Sequence, residues 1–405
     1  MNFVLQTVMW SAVALLLYAY LLYPLLMTRL VAGSGRDNTN PNPNPNPNPN
    51  AESRNESSEK RNLLPTVVVI VAAFNEEQHI FARIENLLAQ DYPANRFKVF
   101  VGSDGSSDRT VELARSIVDA RVVVQAFPVN RGKASVLNDL VAEANADVLV
   151  FTDANTVFRP DTVRQLVLAL NESTAATCGE LILEAPDKGS NQDHQYWNFE
   201  RKLKAAESSI GGLLGANGGV YAIRRESFLP LRTDTICDDF VIAMNIAVRG
   251  QGLRYVPEAI AFEDTPNDVM AEYHRRVRIG IGNYQALFRH PNYLFSAHPA
   301  LSLTYFSHKV LRWLTPHLLL LILICSLLLV REPIYAAVFA AQLAGYAFAY
   351  LVFVMRDRVE WPKVVKAGLF FAVLNVAFLI GFKRFITSDY RGSWRRTERS
   401  DAAAR

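Results

Sequence analysis

The sequence contains little cysteine and no cluster of metal-binding thiols. Its 405 residues include three cysteines, Cys178, Cys237 and Cys325, which lie far apart. An odd number at wide spacing argues against a disulfide framework, and no CxxC or Cys/His group is present that would hold zinc. We therefore interpret the three thiols as reduced packing residues.

Strong charge of either sign is also lacking. A formal net charge of +3, with 20% of the residues charged, is too balanced for a protein whose main partner is nucleic acid. Half of the residues are apolar. This proportion can fill the core of one globular domain and still supply membrane-spanning segments.

Charged residues are absent between Met1 and Thr28, where Val8 to Met27 supplies about the twenty apolar residues that a spanning helix needs. A cleaved signal peptide is the alternative, but the stretch lacks a basic start and its apolar run is too long. We predict a transmembrane anchor over residues 1–32. Arg29 and Arg36 place its C-terminal end in the cytoplasm.

Residues 33–64 are polar, and asparagine alternates with proline from Asn40 to Asn50. Proline does not continue a helix or donate to a strand ladder, and the segment has little apolar surface to bury. The segment therefore predicts a disordered tether between the anchor and the next domain.

Short apolar runs alternate with amphipathic stretches after Pro65. Helical periodicity, as in Glu77 to Ala89, separates the runs. The alternation predicts an α/β domain over residues 65–298, with a mostly parallel, Rossmann-like sheet that binds its ligand at the carboxyl ends of the strands. The predicted strands are Val67 to Ala72, Phe97 to Gly102, Arg121 to Val124 and Val148 to Thr152.

Apolar segments return in residues 299–385. Leu314 to Val330 and Ile334 to Met355 predict a membrane hairpin. The preceding stretch, Ser302 to Trp313, mixes aromatic and basic residues and predicts an amphipathic helix at the membrane interface.

The last apolar stretch, Ala367 to Phe382, has basic residues on both sides, so the positive-inside rule does not orient it. A spanning helix would put the basic tail, residues 386–405, outside the cell. We favour an interfacial or re-entrant segment, which keeps this tail cytoplasmic.

Polar clusters follow the predicted strands. The first contains Asn75 and Glu76, and the second is the segment Ser103 to Asp108, which includes Asp104. A carboxylate on such a turn can accept hydrogen bonds from a ribose or a base edge. Either cluster alone could equally be a helix cap.

The third cluster contains Asp153 and Asn155, directly after a very apolar strand. Two oxygen donors at this spacing can hold one Mg²⁺ or Mn²⁺, with phosphate oxygens and water completing the coordination. The alternative is a cap for a helix that begins near Pro160.

The fourth cluster is the pair Asp238 and Asp239, which opens an amphipathic stretch. Acids are common at helix starts because they favour the helix dipole. Four clusters in one domain, together with Lys133, nevertheless indicate a site for a metal ion and a diphosphate. Lys133 would help neutralise the leaving diphosphate.

Together these residues resemble the membrane-bound family 2 glycosyltransferases, in particular the branch with cellulose synthase, hyaluronan synthase and poly-N-acetylglucosamine synthase. The resemblance extends from about Pro65 to Leu287. It implies a GT-A type nucleotide-sugar-binding domain with one N-terminal and two to three C-terminal transmembrane helices. It also implies a location in a bacterial inner membrane, with the catalytic domain in the cytoplasm.

The resemblance further implies a role for each candidate residue. Asp239, beside Asp238, would be the general base that deprotonates the acceptor hydroxyl, and Asp153 with Asn155 would occupy the metal position. The other implied groups are the donor-binding residues Asn75, Glu76, Asp104, Lys133 and Asp153, and the acceptor-side residues Gly218, Gly219, Arg275 and Arg278.

Two positions depart from the family pattern. Asn155 stands where a second metal-binding Asp is usual, which lowers the charge of the metal site. The QxxRW motif would fall on Arg275 to Ile279, where only Arg278 matches, and Ile279 cannot stack on a sugar ring as tryptophan does. The second departure argues against long-chain processivity.

We expect an inverting, Mg²⁺- or Mn²⁺-dependent transfer of a sugar from a UDP-sugar to a lipid-linked or polysaccharide acceptor at the cytoplasmic membrane face. The expected partners are therefore a nucleotide sugar, a lipid or glycan acceptor and the membrane; the sequence identifies no export or assembly partner. The alternatives are a processive polysaccharide synthase and a non-catalytic, nucleotide-sugar-binding assembly subunit. A nicotinamide dehydrogenase is set aside because no GxGxxG follows the first strand.

Overall fold

The computed structural model describes residues 2–33, 64–184, 191–264, 269–356, 358–388 and 390. The predicted tether and the basic tail lie almost wholly outside these ranges. Within them, an N-terminal helix precedes an α/β domain, and apolar helices follow it.

The α/β domain is built on an eight-stranded sheet. Its strands are β1 (Val67–Ala73), β2 (Phe97–Asp104), β3 (Val122–Phe127), β4 (Val148–Asp153), β5 (Thr156–Phe158), β6 (Ala176–Glu184), β7 (Tyr221–Arg224) and β8 (Leu253–Asp264). They lie in the order β3-β2-β1-β4-β7-β6-β8-β5. Parallel pairing joins β1 to β2 and β4, β2 to β3, and β6 to β8, whereas β4–β7, β6–β7 and β5–β8 are antiparallel. The predicted mostly parallel sheet is confirmed, with an antiparallel insertion at β7.

Helices in the described ranges surround this sheet and extend beyond it. They are α1 (Asn2–Leu17), α2 (Tyr23–Gly33), α3 (Ile80–Leu88), α4 (Thr110–Ser116), α5 (Lys133–Glu143), α6 (Thr162–Leu168), α7 (Asn191–Ser209), α8 (Asp238–Ala247), α9 (Val269–Arg289), α10 (Pro299–Thr304), α11 (Leu311–Trp313), α12 (Thr315–Leu328), α13 (Pro333–Val354) and α14 (Lys363–Ile386). Two π-helical turns, Tyr18–Leu22 and Tyr305–Val310, join α1 to α2 and α10 to α11.

Strand β1 shows why the sheet is covered on both faces. All seven of its residues are buried, as expected for a continuous apolar run in a parallel strand. Val68 and Ile70 pack in one core cluster with residues of α5 and α8, whereas Val67 and Val69 pack in another with residues of α3 and α6. The carboxyl ends of these parallel strands lie at one edge of the sheet.

Three helices are long and apolar enough to cross a membrane: Asn2–Arg29, Pro333–Val354 and Lys363–Ile386. A fourth candidate is the pair Pro299–Trp313 and Thr315–Leu328, bent by 59° at its break. This agrees with the predicted N-terminal anchor and C-terminal hairpin.

Helix α14 contains the last apolar stretch, Ala367 to Phe382. It runs for 24 residues and is long and apolar enough to cross a membrane. The interfacial or re-entrant placement that we favoured stays a prediction. The flanking basic residues continue the helix instead of ending it, since long basic side chains can reach polar surroundings from inside a helix end. The helix packs against α9, where Gly280 and Gly381 allow the two backbones to approach closely.

The segment predicted to lie at the membrane interface, Ser302 to Trp313, is divided among α10, a π turn and α11. Leu301, Tyr305, Val310 and Trp313 are buried in the same core cluster as β1 and α8. One side of this segment is therefore part of the core of the α/β domain.

Candidate active site

Strand register brings the first three predicted clusters to one edge of the sheet. Ala72 of β1 pairs with Asp153 of β4, and Ala73 pairs with Ser103 of β2. Because these strands are parallel, Asp104 and Asp153 end their strands on the same side. The predicted convergence at the carboxyl edge is therefore present.

Hydrogen bonds join the first and second clusters directly. The backbone N–H of Asn75 donates to Ser106 Oγ at 3.0 Å, and the N–H of Ser107 donates to Asn75 Oδ1 at 2.8 Å. Asn75 adopts the left-handed conformation, with φ of 55°, which asparagine tolerates better than most residues. Its side chain holds two turns together, and the partly buried Glu76 follows it in the same turn.

Asp104 is fully buried and binds the loop that leads to α5. Its Oδ1 accepts from the N–H of Arg131 and its Oδ2 from the N–H of Gly132, both at 2.8 Å. These two hydrogen bonds fix the backbone immediately before Lys133, so Asp104 has a positioning role in this structure. Its contact with the donor stays a prediction.

Lys133 connects the third and fourth clusters. Its Nζ lies 2.8 Å from Asp153 Oδ1 and 3.4 Å from Asp238 Oδ2, and its side chain is only 13% exposed. Burial alone would lower the pKa of Lys133, but the nearby carboxylates of Asp153, Asp238 and Asp239 raise it above its usual value. The amine is therefore a fixed positive charge among three acids.

Asp239 is the second residue of α8 and lies beside this ion-pair cluster. Burial, followed by the negative charge of Asp238, raises the pKa of Asp239, while Lys133 and the N–H of Phe240 oppose the shift. Gly218 lies directly against it: a Cβ at position 218 would stand 3.1 Å from Asp239 Oδ2. A carboxylate with a raised pKa against an open glycine backbone has the properties of a general base facing a sugar hydroxyl.

Arg83 and Thr152 hold the loop of residues 215–219, which we call the acceptor-side loop. The sequence placed Thr152 in the third cluster without this role and gave no role to Arg83. Arg83 donates to Thr152 Oγ1 at 2.6 Å, and Thr152 donates to the carbonyl of Gly219 at 2.7 Å. Arg83 is 2% exposed and its guanidinium lies 4.1 Å from the centre of the Phe158 ring. Its position among the apolar residues of α3 was the available signal, because a charge on the buried face of a helix needs a partner.

Asp153 and Asn155 fit part of a divalent metal site. Asn155 is held by a hydrogen bond of 3.3 Å from its Nδ2 to Glu263 Oε1. Among the described residues, no group of three or more His, Cys, Asp or Glu side chains could hold a metal ion. The arrangement fits a site that substrate phosphates complete, since magnesium sites commonly use only one or two protein carboxylates.

Comparison with known proteins identifies the family of the central part of the chain. Residues 68–230 match the family described as Glycosyl transferase family 2. This segment is a family 2 glycosyltransferase domain. It extends from Val68 in β1 to beyond β7 and therefore contains the ends of β1, β2 and β4, Lys133 and the acceptor-side loop.

Curated relatives of the glycosyltransferase domain include the poly-beta-1,6-N-acetyl-D-glucosamine synthases of Staphylococcus aureus strain COL and Staphylococcus epidermidis. The first is 24% identical over 235 residues, which are 56% of this chain and 56% of the relative. The second is 24% identical over 231 residues, 54% of this chain and 55% of the relative. The chain thus spans about half the length of the curated relatives that it matches.

A solved structure shares the whole fold of this chain. The mannosyltransferase PcManGT from Pyrobaculum calidifontis, in complex with GDP-Man and Mn²⁺, superposes with a TM-score of 0.68. The match covers 95% of this chain and 100% of that one, at 19% sequence identity. It confirms the GT-A fold of the glycosyltransferase domain together with its flanking helices.

Two predicted acceptor-side arginines lie on α9, outside the matched glycosyltransferase segment. Arg275 and Arg278 are three residues apart and therefore share a helix face. Arg278 is close enough to act on Cys237, the residue before Asp238: burial and the charges of Asp239 and Asp238 raise the pKa of that thiol, and Arg278 opposes them. Arg278 therefore lies near Cys237, the residue that precedes the acidic pair.

Proposed function

We propose that this protein is a membrane-bound, inverting glycosyltransferase that moves a sugar from a nucleotide sugar onto a lipid-linked or polysaccharide acceptor. The observation that carries the proposal is the grouping of Asp153, Asp238 and Asp239 around Lys133, at the carboxyl edge of a GT-A sheet. We further propose a bacterial inner membrane as its location, with the site on the cytoplasmic face.

The proposed reaction is a single displacement. The acceptor oxygen forms a bond to the anomeric carbon, and the bond from that carbon to the diphosphate oxygen breaks. Asp239 takes the proton of the acceptor hydroxyl, and the nucleoside diphosphate leaves with the bonding electron pair. One displacement on the face opposite the leaving group inverts the anomeric configuration, and no covalent enzyme intermediate is needed.

In this proposal, Lys133 and a metal ion held by Asp153 and Asn155 would neutralise the negative charge of the donor diphosphate. Asp153 and Asn155 would hold Mg²⁺ or Mn²⁺ together with the donor phosphates, and the ion would supply positive charge for the leaving diphosphate. The Mn²⁺ in the complex of the mannosyltransferase PcManGT supports this choice of cofactor.

The donor is proposed to be a UDP-sugar. The names of the staphylococcal relatives support an N-acetylglucosamine donor, whereas the mannosyltransferase PcManGT was solved with GDP-Man.

The names of the staphylococcal relatives also favour a second candidate function, a processive synthase. Against it stands Ile279, where a stacking tryptophan would support a growing chain.

The test uses the full chain, purified in detergent, with labelled UDP-GlcNAc, UDP-Glc and GDP-Man, added Mn²⁺ or EDTA, and a membrane lipid extract as acceptor. We expect turnover with one UDP-sugar, loss of turnover in EDTA, and products that carry one added sugar. Asp153→Ala should abolish turnover, whereas Asp91→Ala, which removes an exposed carboxylate paired with Arg164, should not. Long polymers would favour the processive synthase, and no turnover with any donor would overturn the proposal.

The pH dependence of kcat/KM should report Asp239. Burial and the charge of Asp238 raise the pKa of this carboxyl to about 6. A general base acts only when deprotonated, so activity should rise with pH through about 6 and disappear below it. Initial rates measured at low donor concentration, at pH values on both sides of this pKa, will show the acidic limb of the pH profile. An acidic limb at about pH 4, the ordinary range of aspartate, would mean that a different group is the base.

A further inference from the structure

The N-terminal helix is joined to the catalytic domain by buried hydrogen bonds. Tyr23 Oη donates to Glu207 Oε1 at 2.8 Å, and His308 Nδ1 lies 2.7 Å from the same oxygen. Tyr23, Glu207 and His308 are each no more than 3% exposed. Because a buried carboxylate is costly unless it is hydrogen-bonded, these contacts fix α2 against α7 and the Tyr305–Val310 turn.

A second contact holds α7 about two turns earlier. Glu200 Oε1 accepts from Arg312 at 2.9 Å, and His308 Nε2 lies 3.4 Å from Glu200 Oε2. The two π turns also meet, since Tyr18 Oη and Ser307 Oγ are 2.8 Å apart. We call the group Tyr23, Glu200, Glu207, His308 and Arg312 the clasp.

Another polar contact of α7 leads to the active site. Lys204 lies one turn before Glu207, and its Nζ donates to Asn217 Oδ1 at 2.5 Å. Asn217 in turn donates from Nδ2 to the carbonyl of Gly179 at 2.8 Å and from its backbone N–H to Cys178 Sγ at 3.1 Å. The next residue is Gly218, which backs onto Asp239.

We propose that Lys204 is a positioning residue that sets the acceptor-side loop, residues 215–219, against Asp239, and that the clasp holds Lys204 in register. The N-terminal helix then helps to position the acceptor site, in addition to its role as an anchor. This inference rests on the proposed function, because it concerns the placement of the proposed base relative to the acceptor.

The direction of the effect follows from which groups the loop touches. Gly218 contacts Asp239, whereas the donor-side group Lys133 and Asp153 is held through α5 and β4. Loss of Lys204 should therefore disturb proton removal from the acceptor and leave donor affinity unchanged. A displacement of well under an ångström at such a site is enough to slow the reaction.

The first experiment compares Lys204→Met with Lys202→Met, which removes the same charge from an exposed position on the same helix. We expect Lys204→Met to lower kcat roughly tenfold, the size expected for losing one charged hydrogen bond, with donor KM unchanged. Lys204→Arg should restore most of the rate, and Lys202→Met should match the wild type. A donor KM that rises as much as kcat falls would overturn the inference.

The second experiment needs no turnover. Hydrogen–deuterium exchange of the peptide around residues 213–220 should be faster in Lys204→Met and in Tyr23→Phe than in the wild type. Tyr20→Phe is the control, because Tyr20 bonds to Thr315 and its ring, which lies over Arg312, is kept. Unchanged exchange in both variants would sink the positioning role even if the wild type is active. A wild type without any turnover would instead sink the proposed function, and the exchange result would still decide the role of Lys204.

Discussion

Asp239→Asn should lower kcat by at least about a hundredfold, because removal of a general base typically costs two to four orders of magnitude. The amide has nearly the same shape and can still accept the hydrogen bond of 2.8 Å from the N–H of Phe240. It cannot take a proton from the acceptor. Donor KM should therefore remain near the wild-type value while turnover is lost. Both are measured with whichever of the three labelled nucleotide sugars the wild type uses.

Thermal unfolding separates this loss from a folding defect. Burial and the charge of Asp238 raise the pKa of Asp239, so the charged carboxylate lowers the free energy of unfolding relative to the neutral form. Replacing it with a neutral amide should leave the unfolding temperature unchanged or raise it. Asp161→Asn is a matched control, since Asp161 is likewise an acid at a helix start, immediately before α6, but pairs with Arg159 away from the site. Turnover of Asp239→Asn within about tenfold of wild type would reject the base assignment.

Lys133→Met should destabilise the protein and also abolish activity. The amine is the shared partner of Asp153 and Asp238, so its removal takes the positive charge of Lys133 away from both carboxylates. Breaking a buried ion pair on one side typically costs about 3–5 kcal/mol of unfolding free energy. The measurement is chemical denaturation of the detergent-solubilised variant, beside a donor-binding assay.

The comparison for this variant is Lys98→Met, which removes an exposed lysine from the neighbouring strand β2. Its unfolding free energy should stay within about half a kcal/mol of the wild type. If Lys133→Met were as stable as Lys98→Met, the carboxylates would have to be protonated or solvated, and the charge cluster described for the site would be wrong.

Periodicity in the sequence was sufficient to predict the central strands. The run Val67–Ala73 is apolar throughout because both faces of β1 are covered, and such runs are distinctive. The polar residues that follow each run mark the carboxyl edge, so the position of Asp104 and Asp153 at one edge of the sheet could be foreseen. The antiparallel insertion of β7 could not, because its partner strands are distant in sequence.

The role of an individual acid was harder to predict than its location. Asp104 and Asp153 both end a strand, yet one is satisfied by backbone amides of a loop and the other faces Lys133. Sequence spacing does not reveal where a neighbouring loop supplies N–H groups. The same limit applies to Lys204, whose partner Asn217 lies beyond the end of its helix.

The π turn at Tyr18–Leu22 gives the N-terminal helix a rotational setting that a lipid bilayer alone would not specify. Each residue added to or removed from a helix rotates everything beyond it by about 100°. A generic apolar segment of equal length could cross the membrane, but it would present a different face to Glu207. The rotation of the first helix about its axis is therefore specific to its own catalytic domain. Exchanging this helix between homologous proteins would require a match in that rotation as well as in length.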